Sequence, residues 1–169
     1  MNSVVALDVV LQLAFLICVC FAVITDFRTL LIPNWISLAL LAAFAPFAVL
    51  HLPLSAIGGH FLVMAIVLAL SVFFFVVGWV GGGDVKLMAA CALWAGPTHI
   101  VEFIMVTTLY GALLSAAFLL PAFRQKAEAA DAHYVGTLTA ALRRRLPYGL
   151  AIATGAVVVC LRLLTEVRA

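Results

Sequence analysis

The stretch IGGHFLVMAIVLALSVFFFVVGWV, Ile57 to Val80, contains no Asp, Glu, Lys or Arg, and its only strongly polar side chain is His60. A helix needs roughly 20 mostly apolar residues to cross the hydrocarbon core of a bilayer, so this run predicts a transmembrane helix. The rest of the chain agrees with it. Soluble domains carry roughly 25% charged residues, whereas this 169-residue chain has 9% charged and 67% hydrophobic residues. Its mean hydropathy is +1.31. A water-soluble globule is excluded, and so is disorder, which requires few apolar residues and many charges.

Similar runs lie on both sides. Upstream are Val9 to Thr25 and Trp35 to Leu52, the second containing Pro46, which predicts a kink. Downstream are Val85 to Gly96, Ile100 to Leu120 and Pro147 to Thr165. Gly96-Pro97 stops the short run, and Pro147 suits a first helical turn, where its missing N–H costs nothing. Met1 to Thr25 has no basic leading region and reads as a retained span, not a cleavable signal. Residues 1–169 read as one membrane-embedded domain with no internal repeat.

The short run decides the topology. The twelve residues from Val85 to Gly96 reach about 18 Å as a helix, against roughly 30 Å of hydrocarbon. They either cross at a thin or water-lined place or turn back. With all six runs crossing and the N-terminus outside, Arg28, Lys86, Arg124, Lys126, Arg143, Arg144 and Arg145 face the cytoplasm, against Arg162 and Arg168 outside. If the short run turns back, that count of seven to two becomes four to five. The positive-inside rule selects six crossings. The expectation is an all-α polytopic membrane protein of six transmembrane helices, with N-terminus and C-terminus periplasmic. The loop Ala122 to Leu146 is then cytoplasmic, and Arg143 to Arg145 are expected to meet anionic inner-leaflet lipids.

Acidic groups at membrane depth are costly and usually functional. Glu128 and Asp131 fall in the cytoplasmic loop, while Asp8, Glu102 and Glu166 fall near outer span ends and read as interfacial charge. Asp26 and Asp84 differ, because one closes the first span and the other opens the fourth, both at the cytoplasmic edge. Two close carboxylates cannot both ionise easily, so one can serve as a base towards water and the other as an acid towards a carbonyl. Helix dipoles favour charge on Asp84, at a helix start, and disfavour it on Asp26, at a helix end; Asp26 is therefore expected to hold the shared proton at rest. Gly81, Gly82 and Gly83 give the backbone freedom for water or an extended strand to reach Asp84. The same residues also read as a plain joint with Asp84 as N-cap. A small ion- or proton-coupled transporter using the same two carboxylates is the alternative function.

Cys18, Cys20, Cys91 and Cys160 lie in apolar runs with no C-x-x-C pair, and His51, His60, His99 and His133 show no ligand spacing. No metal, cofactor or nucleic acid is expected.

Gly81-x-Gly83-Asp84, followed by Val85-Lys86-Leu87, resembles the signature of the G-x-G-D intramembrane aspartyl proteases. Asp26, with Ile32-Pro33-Asn34 after it, resembles the first aspartate region of type IV prepilin peptidases. Leu146-Pro147-Tyr148-Gly149 resembles a third stretch of that family, continued here by Leu150 where a proline is usual. The resemblance implies an aspartic endopeptidase that removes the leader of single-span prepilins at the cytoplasmic face of the bacterial inner membrane. It implies Asp26 and Asp84 as the catalytic pair. Gly81, Gly83, Lys86, Pro33, Asn34, Pro147, Tyr148 and Gly149 would bind substrate or shape the site. Read blandly, Lys86 is a snorkelling inside charge, Pro33-Asn34 starts the second span, and Tyr148 is an interfacial anchor. The nine-residue loop from Asp26 to Asn34 has no cysteine, unlike larger members with a methyltransferase activity, which is not expected here. The chain most resembles the short peptidases of Flp-type (tight-adherence) pili.

Overall fold

The computed structural model describes residues 3–29, 31–119 and 148–168, and among them every regular element is an α-helix. These are α1 (Ser3–Thr29), α2 (Asn34–His51), α3 (Leu54–Val76), α4 (Gly82–Leu119) and α5 (Gly149–Arg168). The first four are long and apolar enough to cross a membrane, and α5 carries a shorter apolar stretch, Gly149–Thr165. The cytoplasmic loop expected from Ala122 to Leu146, with Arg143, Arg144 and Arg145, falls outside the described residues, as do His133 and Pro147.

Helix ends depart from the sequence reading for local reasons. α1 continues past Thr25 to Thr29, so Asp26 lies inside it and does not close it. α2 runs through Pro46 unbroken. α3 stops at Val76, short of the glycine triplet, because Gly78 takes φ 85°. Gly78 N–H donates to Phe75 O and Trp79 N–H to Phe74 O, the paired bonds of a Schellman C-terminus built on a left-handed glycine. Gly82 and Gly83 therefore start α4 and do not end α3.

α4 is bent back on itself at Gly96 (φ 57°, ψ −171°), just before Pro97. The contacts on each side give the direction. Gly83 packs on Ile32 in the α1–α2 connection, and Gly82 faces Phe75 near the end of α3. Further along, Leu93 O bonds His60, and Pro97 lies against Gly59, both near the start of α3. Glu102 then meets Arg162 late in α5, and Gly111 meets Tyr148 beside its start. The chain runs out along residues 82–95 and returns along 97–119. With these limbs taken separately, six helical rods alternate between two ends among the described residues.

The outbound limb is the centre of the molecule. Leu87 and every residue from Ala89 to Ala95 are buried. Its fourteen residues reach about 21 Å, yet a helix sheathed by protein need not match the lipid thickness. Trp94 fills the middle, with its ring 4.8 Å from Phe15, 5.8 Å from Phe44 and 5.0 Å from Phe47. Its indole N–H donates to Leu40 O at 3.0 Å, which satisfies the one polar group it buries. The outer faces carry exposed Leu62, Phe73 and Val76, a surface suited to lipid and not to water.

Candidate active site

Asp26 projects from the last turns of α1 and is 5% exposed. Its Oδ2 accepts the backbone N–H of Gly149 at 2.8 Å. Gly149 is the first residue of α5, where N–H groups lack helical partners and the dipole is positive. A Cβ on Gly149 would stand 2.6 Å from that oxygen and 3.1 Å from Asp26 Cβ, so glycine is what admits the carboxylate. This corrects the dipole argument made from sequence. The carboxylate meets the amino end of α5, so both acids sit at helix starts, and the reason for assigning the resting proton to Asp26 disappears.

Asp84, also buried, is the third residue of α4. Its Oδ2 accepts Gly81 N–H at 3.3 Å, while Gly81 O accepts Val85 N–H at 3.1 Å. The side chain reaches back one turn, as the acidic partner of a capping box does, and is not itself the N-cap. A Cβ on Gly83 would lie 2.9 Å from Ile32 Cβ and 3.2 Å from Ile32 N. That contact seats the start of α4 on the α1–α2 connection, six residues beyond Asp26. Both acids therefore occupy the same end of the bundle.

The remaining expected site residues fall into two groups. Pro33, extended at φ −61° and ψ 139°, precedes α2, and its C=O accepts Ile36 N–H. Asn34 starts the helix, and its Oδ1 accepts from Lys86 Nζ at 2.7 Å. Lys86 lies about 200° around the helix from Asp84, so this pair faces away from the acid. On the other side, Tyr148 lies over Gly111, its hydroxyl is 3.3 Å from Ser115 Oγ, and its C=O accepts Ile152 N–H. Tyr148 thus fixes the start of α5 against the returning limb and so places Gly149. Sequence reading missed Gly111 and Ser115, which carry no motif. Ile32 is marked in sequence only by its place in the Ile32-Pro33-Asn34 triplet, and its contact with Gly83 gives it a role.

The opposite end holds a second polar group. Asp8, expected as interfacial charge, is buried and paired with His51. His60 Nδ1 bonds Leu93 O at 2.8 Å, and His51, His60 and His99 line a cavity of about 210 Å³. Glu102 behaves as expected of an interfacial acid, bound to Arg162 at 2.9 Å. Between the two ends lie Phe15, Phe44 and Trp94, none more than 2% exposed. No cluster of three or more His, Cys, Asp or Glu suited to a metal ion occurs among the described residues.

A family model described as the type IV leader peptidase family matches residues 13–120, from α1 through the returning limb of α4. No curated protein and no solved structure matches the chain.

Proposed function

The chain belongs to the type IV leader peptidase family, and on that premise we propose that it is an intramembrane aspartyl endopeptidase using Asp26 and Asp84. The substrate is a prepilin, and the product is the pilin freed of its leader. Two neighbouring carboxyl groups resist double ionisation. The ionised one takes a proton from water, which attacks the scissile carbonyl. The protonated one gives its proton to the carbonyl oxygen, and a proton then goes to the departing amine. Backbone amides of Gly149 and Gly81 hold one oxygen of each acid, so the geometry is set before substrate arrives.

The observation that carries this reading is the arrival of Asp26 at the start of α5 while Gly83 seats Asp84 on Ile32. The orientation rests on charge. Arg28 and Lys86 are exposed at the acid end, the end of α2 and start of α3 from His51 to Gly59 at the other end have no Lys or Arg, and Arg162 there is bound to Glu102. With six crossings and the N-terminus outside, the acids open to the cytoplasm of a bacterial inner membrane. The short connection without cysteine after Asp26 supports an Flp-type peptidase without methyltransferase activity. A transport function has less support, because apolar rings fill the space between the two polar ends.

The test is co-expression of a candidate prepilin with wild type, Asp26→Asn and Asp84→Asn, reading pilin mass. Cleavage by wild type alone is expected. Leader removal that survives both substitutions rejects the aspartyl mechanism.

A further inference from the structure

α1, the returning limb of α4 and α5 leave an apolar groove of about 550 Å³ between them. Val19, Val23 and Ile24 line one side, Tyr110 another, and Leu150 and Val157 the third. A second apolar groove, of about 390 Å³, lies between α2, α3 and the outbound limb, with Leu38 and Leu68 in its walls. The two differ where they approach the acids. The first ends at Ile24 and Leu150, next to Asp26 and Gly149, and spacing puts Val19, Val23 and Asp26 on one face of α1. The second ends at Lys86 and Asn34, which bond each other and face away from Asp84.

We propose that the groove between α1, the returning limb and α5 receives the hydrophobic membrane helix of the substrate, laid so that the chain leaving its cytoplasmic end passes over Asp26. This rests on the leader peptidase reading. A single-span substrate cannot bring its scissile bond to a membrane-edge carboxylate from water; it must slide in sideways through lipid. Helices associate in lipid by close packing against small residues, and Cys20 and Ala153 supply them in this groove. Ile24, Tyr110 and Val157 are exposed along it, while Ala153 is buried. The occupant's last turn then lies beside Leu150, and its extended continuation crosses the Asp26–Gly149 contact.

A benzophenone amino acid is placed at Tyr110 or Val157, or at Leu38 or Leu68 in the second groove, and the enzyme is irradiated in membranes with full-length prepilin. An Asp84→Asn background keeps the substrate intact. Prepilin adducts from Tyr110 and Val157, but not from Leu38 or Leu68, are expected. Prepilin adducts from Leu38 or Leu68, or adducts from Tyr110 and Val157 to lipid or a second copy of the enzyme alone, overturn the proposal. As a second measurement, Val157→Trp should lower the preference for full-length prepilin over a soluble leader-junction peptide by roughly tenfold, the scale of overpacking a filled groove. An unchanged preference also overturns it. Adducts at Tyr110 and Val157 from a prepilin that wild type leaves uncut would remove the peptidase reading and keep the groove. Cleavage without those adducts would do the reverse.

Discussion

The N–H of Gly149 donates to Oδ2 of Asp26 at 2.8 Å, across 123 positions of sequence. A methyl group at position 149 would stand 2.6 Å from that same oxygen, so Gly149→Ala must push the carboxylate away. Misplacing a catalytic group by about 1 Å costs on the order of 10²-fold in rate. Leader cleavage by Gly149→Ala is expected to fall by that factor while the purified protein keeps its melting temperature within a few degrees. Cleavage at wild-type rate would show that the contact does not position Asp26.

Asp84→Asn keeps an oxygen able to accept the Gly81 N–H. The start of α4 should therefore lose no more than about 1 kcal/mol, the scale of a helix cap, whereas proteolysis should vanish. Thermal unfolding in detergent and pilin mass separate the two effects. A large stability loss would mean that Asp84 serves mainly to hold the turn.

Lys86 is exposed, and its bond to Asn34 is a surface contact. Exposed polar pairs contribute roughly 0–1 kcal/mol. Lys86→Met should leave both stability and peptide cleavage close to wild type. A fall in cleavage rate comparable with that of Asp84→Asn would move Lys86 into the reacting site.

Gly96 holds φ 57°, and a Cβ there would lie 2.1 Å from Cε1 of His60. With ψ at −171° this is a backbone region essentially reserved for glycine, and a side chain there costs roughly 1–3 kcal/mol before any clash. Gly96→Ala is expected to lower the melting temperature sharply. His60→Ala added to it should recover the part due to the clash and leave the backbone part. No recovery would show that the backbone turn alone sets the cost.

Ser55, in the first turn of α3, and Arg28, near the end of α1, are both exposed and lie at opposite ends of the bundle. A cysteine replacing Ser55 should react with an impermeant maleimide in intact cells. A cysteine replacing Arg28 should react only after the inner membrane is opened. The reverse pattern would invert the orientation argued from charge.

The sequence by itself determined the membrane class, and it made the apolar runs and the acids inside them legible. Each of these is local: apolar length sets a span, and an acid inside such a run marks itself by its desolvation cost. Helix ends were legible only where the residues that stop a helix stood alone. Gly78 carries no signal that sets it apart from the glycine triplet beside it, although it is the residue that takes the left-handed conformation. Only the tertiary structure decided that the short run is the sheathed centre and that Asp8 is buried against His51. It also decided that Asp26 rests on the first amide of α5. Such contacts join segments far apart in the chain, and they depend on which helix face packs against which, a choice made by the summed packing of the whole bundle and written in no single stretch of residues.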